Sequence, residues 1–270
     1  MQPVKVLCIG GSDSSGGAGI QADLKTVSAC GCYGLTIITA ITAQNTRGVQ
    51  NILAVPGEFI SKQLDAVLSD IGADAVKTGM LLNEDIIDAL TEKIKEYHIE
   101  KLVVDPVMIA KGGRKLMLAG ARRALVRNLL PLALVVTPNI DEAEELAQME
   151  IKSLSAVKKA ALIIHQLGAR NVVIKGGHLA INKQKDAVDI FFNGKIYKEY
   201  SLPRIRSADT HGTGCTYASA LAAGLAQGKN IAAAVEEAKK LVTSAIKNSV
   251  SLGAGHGSVN ALAGKICCSR

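Results

Sequence analysis

The sequence carries a small set of side chains whose types suit phosphoryl transfer. Asp105 follows an apolar run, and Glu142 closes the string Thr137-Pro138-Asn139-Ile140-Asp141-Glu142. A hydrated magnesium ion is commonly held by one or two carboxylates together with phosphate oxygens, so this pair is a candidate metal site. Lys175, at the end of another apolar run, would face nucleotide phosphates. The string DTHGTGCT (209–216) precedes the small-residue stretch YASALAAGLAQG. Glycines ahead of a helix let successive N–H groups converge on an anion, and the positive helix end adds its attraction. Gly212, Thr213, Gly214 and Cys215 are therefore expected to hold a transferring phosphoryl group. Cys215 falls in the helix's first turn, where thiol pKa values are commonly depressed.

Each of these has a plainer account beside it. Asn139 followed three residues later by Glu142 is a capping box in its own right. Cys215 also fits as a small residue packed under a helix start, and packing is the stronger reading for Cys8, Cys30 and Cys32. The loop GSDSSGGAG (11–19) resembles a phosphate cradle, but a Walker loop needs Lys-Ser or Lys-Thr after its last glycine and here Ile20-Gln21 follows. Gly17-Ala18-Gly19 supplies only the first two glycines of a dinucleotide fingerprint. The loop reads either as a flexible turn or as close backbone approach to a small ligand, with Asp23 one helical turn inside. His178 and His211 read as hydrogen-bonded bystanders or as catalysts.

The elements that must position these groups are legible as apolar runs separated by helical patterns. VKVLCIG (4–10), LTIITAITA (35–43), ADAVKTG (73–79), KLVVDPV (101–107), LALVVTPN (132–139) and NVVIKGG (171–177) are short, rich in β-branched residues and without alternation. That pattern predicts strands covered on both faces, as in a parallel sheet. Helices are expected over 58–71, 83–98, 116–130, 141–150, 154–167, 213–227 and 231–248, which gives the strand-helix rhythm of a doubly wound α/β fold. Ligands of such sheets bind beyond the carboxyl ends of the strands, where the chemistry-bearing residues fall. The segment 187–203 breaks the rhythm: Asn193-Gly194 between two strand-like runs predicts an antiparallel hairpin. With no linker, repeat or low-complexity tract, residues 1–270 are expected to form one domain. The glycine-rich stretch after residue 250 is expected to be partly loose.

Composition bounds the function classes. The 270 residues are 48% hydrophobic and 20% charged, enough for a large core without disulfides, and the six cysteines show no CxxC pair. No apolar run approaches the roughly 18 residues of a membrane span, and the opening residues lack a signal peptide's apolar stretch, so a cytoplasmic protein with reduced thiols is expected. The formal charge of +7 suits anionic partners. Single-stranded nucleic-acid binders interleave basic groups with stacking aromatics, whereas here there is no Trp and only three Phe and five Tyr, so phosphate-bearing small molecules are the better match.

The motifs GSDSSGGAGIQADLKT, ITAQNT, VKTGML, VVDPVM, TPNxxE, KGGH and DTHGTGCT, in this order, resemble the hydroxymethylpyrimidine/phosphomethylpyrimidine kinases of thiamin biosynthesis, within the ribokinase-like superfamily. The resemblance spans residues 4–255. It implies a three-layer α/β fold with a mainly parallel central sheet, helices on both faces and an antiparallel hairpin. It also implies a kinase that uses ATP and magnesium to phosphorylate 4-amino-5-hydroxymethyl-2-methylpyrimidine and then its monophosphate. By that similarity Gln44 and the backbone at Gly11 and Ala18 hold the pyrimidine, with Asp23, Met80 and Val107 lining its pocket. Asp105 and Glu142 organise the metal, and Lys175 and Thr210 lie near ATP phosphates. The backbone of Gly212, Thr213, Gly214 and Cys215 stabilises the transferring group, and Cys215 stands where most ribokinase-like enzymes carry an aspartate base. A thiolate beside phosphates would be disfavoured by their charge, so the anion-hole role is the firmer one. A homo-oligomer, a dimer, is the expected assembly. No thiamin-phosphate synthase segment is expected within these 270 residues.

The resemblance departs at Gly112-Gly113-Arg114-Lys115, where the family commonly continues Ser-Gly-Asp-like; this stretch is expected to form a flap. Arg114 and Lys115 would assist an anionic monophosphate or form a solvated basic loop. The nearest rival is a pyridoxal kinase, since pyridoxal also presents a ring nitrogen and a hydroxymethyl group. The related pyridoxal kinase branch adds a cysteine in the flap, where this chain has Met108-Ile109-Ala110. A catalytically silent pyrimidine-binding regulator is a rival of another class, disfavoured by Asp105, Glu142, Lys175 and the glycine turn occurring together. Nucleic-acid binding is the most distant alternative.

Overall fold

A computed structural model describes residues 2–110, 113–118, 120–177 and 186–264. His178, Gly112, Cys267 and Cys268 lie outside them. In chain order the elements are β1 (Lys5–Asp13), α1 (Gly19–Ala29), β2 (Tyr33–Asn45), β3 (Gly48–Ala54), α2 (Gly57–Leu68), β4 (Ala75–Thr78), α3 (Glu84–Glu96), β5 (Leu102–Val104), α4 (Ala121–Ala124), β6 (Val135–Val136), α5 (Ile140–Ala147), α6 (Leu154–Gln166), β7 (Val172–Ile174), β8 (Asp186–Phe192), β9 (Tyr197–Pro203), α7 (Thr213–Ala226) and α8 (Ile231–Lys247). They build one nine-stranded sheet in the order β3-β2-β1-β4-β5-β6-β7-β8-β9. From β2 to β7 every pairing is parallel, while β3 and the β8–β9 hairpin close the two edges antiparallel.

Successive strand residues point to opposite faces, and here both faces are apolar. Leu7, Ile9, Leu102, Val104 and Val136 pack against the layer of α2 to α6, while Val6, Cys8, Val103, Val135 and Val173 pack against α7 and α8. Each fully buried aliphatic side chain contributes about 1.5–3 kcal/mol, which is why the runs need no alternation. The small side chains of α7 serve a close approach: Ala218, Leu221, Ala222 and Ala223 are fully buried, and a Cβ on Gly224 would sit 3.0 Å from Ala234 of α8. Among the described residues no helix is long and apolar enough to cross a membrane.

The expected fold class is observed, with three differences in detail. The antiparallel edge strand β3 has no counterpart in the sequence reading; its residues are mostly exposed, so burial did not impress an apolar run on it. The helix expected over 116–130 begins only at Ala121, because Met117 bridges to Leu82 and Gly120, at φ +95°, redirects the chain into it; it continues as a π turn through Leu129. The glycine-rich end is not loose between residues 250 and 258. Val250 and Ser258 exchange backbone bonds, His256 N donates to the Thr46 carbonyl at 2.8 Å, and Gly257 N donates to Asp209 Oδ1 at 2.8 Å.

Candidate active site

The carboxyl ends of β1, β2, β4, β5, β6 and β7 open into one cavity of about 1030 Å³. Its wall includes Gly11, Ala18, Asp23, Gln44, Met80, Val107, Asp105, Glu142, Lys175 and Thr210, together with Gly212, Thr213, Gly214 and Cys215. These residues are thus brought together, although they come from segments up to about two hundred positions apart, while Arg114 lies off the wall and His178 falls outside the described residues.

At one end stand the charged groups. Asp105 N bonds the Thr78 carbonyl, extending the ladder by a residue, and Lys175 N bonds the Pro138 carbonyl in the same way. The two side chains meet with Lys175 Nζ 2.7 Å from Asp105 Oδ1, which also accepts from Thr137 Oγ1 at 3.2 Å. Burial alone would lower the Lys175 pKa, but the charges of Asp105 and Glu142 raise it, so the ammonium persists. Glu142 forms the capping box with Asn139, giving 2.8 Å from Asn139 N to Glu142 Oε2 and 2.9 Å from Glu142 N to Asn139 Oδ1. It lines the cavity at the same time, so the structural account and the ligand account of this residue coexist. Burial pushes its carboxyl up to about 7 against the pull of Lys175. One ammonium therefore faces two buried carboxyl groups, hard oxygen donors that suit a magnesium ion taking its remaining ligands from phosphate and water. Among the described residues no cluster of three or more His, Cys, Asp or Glu could hold a metal ion without such outside ligands.

The start of α7 lies against this pair: a Cβ on Gly214 would be 3.4 Å from Lys175 Nζ and 3.5 Å from Asp105 Oδ2. Gly212 caps the helix at φ +83°, where a Cβ would also run into the Gly17 carbonyl, so the turn that aims the N–H groups requires glycine. The Cys215 thiol is not activated as the helix-start position suggests. Burial pushes it up to about 11, with the Lys77 charge only partly offsetting this. Sequence position shows a helix terminus but not how deeply the sulfur is buried. Beneath it Lys77, to which the sequence reading gave no role of its own, pairs with Asp23 at 2.8 Å, and Ser219 Oγ donates to Asp23 at 2.7 Å. A lysine inside an otherwise apolar central strand was the available signal, since a buried ammonium requires a partner. Asp23 is fully buried in this network, which ties α1, β4 and α7 together.

At the other end Gln44 follows the core of β2. Its backbone N accepts no freedom from the turn: it donates to Ser14 Oγ at 2.9 Å, while Ser14 Oγ donates to the Gln44 carbonyl at 2.7 Å. The side-chain amide lies 3.2 Å from His211 Nε2 at one end and 3.2 Å from Thr42 Oγ1 at the other. His211 Nε2 is 2.8 Å from Asp13 Oδ2. Met80 approaches closely because Gly11 has no side chain, a Cβ there falling 2.9 Å from its sulfur. Among the described residues of the expected flap, Ile109 makes an antiparallel bridge to Lys115. Arg114 is exposed, and its Nη1 donates to the carbonyls of Val49 at 3.0 Å and Gln50 at 2.6 Å, which ties this stretch to β3. Lys115 remains exposed and lines the cavity.

Comparison with known proteins agrees with this arrangement. The family model described as phosphomethylpyrimidine kinase matches residues 13–260. The thiamine biosynthesis bifunctional protein ThiED of Geobacter sulfurreducens is 53% identical over 255 residues, covering 94% of this chain, and the chain spans about half (51%) of that longer protein. The hydroxymethylpyrimidine/phosphomethylpyrimidine kinase of Bacillus subtilis is 45% identical, with 98% of this chain and 97% of the relative covered. Among solved structures, an ADP complex of Bacillus subtilis pyridoxal kinase superposes with a TM-score of 0.91 at 40% identity, covering 98% of this chain and 100% of the other. A Staphylococcus aureus pyridoxal kinase in complex with AMP-PCP and pyridoxal gives 0.88 at 39% identity, with 97% and 95% covered.

Proposed function

The chain belongs to the phosphomethylpyrimidine kinase family and is a hydroxymethylpyrimidine/phosphomethylpyrimidine kinase of thiamine biosynthesis; from that premise we propose how its cavity divides the work. The pyrimidine is read at the Gln44 end, in the pocket of Gly11, Ala18, Met80 and Val107, with its hydroxymethyl group toward α7. ATP phosphates lie at the Lys175 and Thr210 end. The substrate hydroxyl oxygen forms the new bond to the γ-phosphorus as the bond from that phosphorus to the β-bridging oxygen breaks, ADP leaves, and the hydroxyl proton is released. The second turnover repeats this on a phosphate oxygen of the monophosphate.

The observation that carries the proposal is the placing of Gly214 beside the Asp105–Lys175 pair, so close that even a Cβ there would lie 3.4 Å from Lys175 Nζ and 3.5 Å from Asp105 Oδ2. The N–H groups of Gly212, Gly214 and Cys215 and the Lys175 ammonium would face the transferred negative charge, while the Thr213 N–H is already bonded to the Thr210 carbonyl at 3.3 Å; such preorganised donors supply the largest share of catalysis in a loose transition state. Asp105 and Glu142 would hold magnesium, which supplies charge neutralisation between the phosphates. Cys215, with its thiol held well protonated by burial, contributes its backbone N–H rather than a general base. The described chain acts as one domain, because a single sheet carries both ends of the cavity.

A second reading, pyridoxal phosphorylation, draws support from the two pyridoxal kinases above. The flap residues Met108, Ile109 and Ala110 offer no thiol to a pyridoxal aldehyde, which favours the pyrimidine. Incubation with ATP, magnesium and either vitamin precursor, with the mono- and diphosphates resolved, tests the assignment. Pyrimidine diphosphate is expected, and phosphorylation of pyridoxal alone would overturn it.

A further inference from the structure

The contacts of His211 determine which way the Gln44 amide faces, by counting protons. The two ends of an amide are alike in shape. Assigned on shape alone, the nitrogen end lies toward His211 Nε2 and the oxygen end toward Thr42 Oγ1. The proton count reverses that assignment. Asp13 is buried, and burial would raise its carboxyl pKa, yet bonds from His211, Ser15 and Ala18 bring it down to about 2. It is an ionised acceptor, already taking the Ala18 N–H on the same oxygen that faces the imidazole. His211 Nε2 must then carry a proton, in the neutral ring as in the charged one. A protonated Nε2 cannot accept from an amide nitrogen 3.2 Å away, so two donors would oppose each other in a partly buried site. With Oε1 toward His211 the conflict disappears. Thr42 Oγ1 gives its single proton to the Ser12 carbonyl at 2.9 Å and accepts from Gln44 Nε2.

We propose that His211, held by Asp13, is a specificity-determining positioning residue: it fixes the Gln44 amide with its oxygen toward the imidazole, so that the cavity offers a set order of acceptor and donor to the ring. This rests on the reading of Gln44 as the pyrimidine's partner. A 4-aminopyrimidine presents an amine donor beside a ring-nitrogen acceptor. The 4-oxo ring, in its N–H tautomer, presents the opposite order and needs the amide turned over. The backbone of His211 is anchored separately, its N to the Gly257 carbonyl at 3.1 Å and its carbonyl to Val259 N at 3.0 Å, so the side chain can be varied while the loop stays bonded.

The test compares kcat/KM for 4-amino-5-hydroxymethyl-2-methylpyrimidine and its 4-oxo analogue in the wild type and in His211→Leu, His211→Gln and Gln44→Leu. The wild type is expected to favour the amine by about 10²-fold or more. His211→Leu should reduce that ratio at least about tenfold by freeing the amide, whereas His211→Gln, which restores an N–H donor, should recover most of it. A His211→Leu enzyme that loses the same factor on both rings, keeping the ratio, overturns the inference while the ring-reading role of Gln44 stands if Gln44→Leu abolishes the preference. An unchanged ratio in Gln44→Leu overturns both. Because His211→Leu takes one donor from the buried Asp13 and risks the fold, 15N NMR of the wild-type imidazole is the independent measurement. A proton on Nε2 is expected, and an Nδ1–H tautomer overturns the inference.

Discussion

Lys77 Nζ lies 2.8 Å from both carboxylate oxygens of Asp23, and neither side chain reaches solvent. Removing one partner strands the other charge in the sheet, so Lys77→Met should destabilise the protein by about 3–5 kcal/mol, while Lys77→Met with Asp23→Leu should recover much of the loss. Denaturant unfolding of the single and double variants checks this; a double variant no more stable than the single would contradict the ion-pair account.

Burial raises the thiol of Cys215 from 9.0 to about 11. A raised acid is protonated across neutral pH and ionises only as pH climbs through its folded value. Alkylation of Cys215 by iodoacetamide should therefore be slow at pH 8 and still rising at pH 10. Cys215→Ala should retain turnover within about tenfold of wild type, a barrier change of about 1.4 kcal/mol, because the backbone N–H survives the change. A loss of about 10²-fold or more in both Cys215→Ala and Cys215→Ser, part-recovered in Cys215→Asp, would restore the base assignment.

The capping box of Glu142 and its proposed metal role can be separated by a conservative pair of variants. Gln at this position still completes a capping box, and Ala does not. Glu142→Gln should keep its unfolding midpoint but require more magnesium for half-maximal turnover, while Glu142→Ala should show both that shift and a loss of about 1 kcal/mol. An unchanged magnesium requirement in Glu142→Gln removes the metal role.

Asp13 sits at about 2 in the folded protein against 3.8 for an ordinary carboxyl. A lowered acid stabilises the fold above its unfolded pKa and loses that contribution as pH falls from about 4 to about 2, a change of about 2 kcal/mol. Unfolding free energies measured at pH 5 and pH 3 should converge in the wild type and Asp13→Asn as pH falls. A constant gap between them would dissociate Asp13 from the acid limb.

The central strands could be read because burial on both faces leaves unbroken apolar runs, and the β8–β9 hairpin because Asn193-Gly194 marks its turn. The site residues could be read because they stand just beyond those strands. What escaped were properties set by depth and by distant partners. Lys77 is neutralised from α1, the Cys215 thiol on the cavity wall is raised by desolvation, and Arg114 finds its acceptors on β3 some 65 positions earlier. Neither β3, largely exposed, nor the bonded glycine-rich end carries a periodic apolar signal.

The loop from Ser251 to Ser258 is bonded to Thr46 on one side and to Asp209 on the other. Both flanks of the cavity mouth therefore depend on residues added late in synthesis. A nascent chain that has emerged only through β9 holds all nine strands, yet it lacks α7, whose start is proposed to meet the phosphoryl group, and the 251–258 loop that bonds Thr46. Contacts at such separations form slowly because the intervening chain must first be closed, so catalytic competence should trail the recovery of secondary structure in refolding.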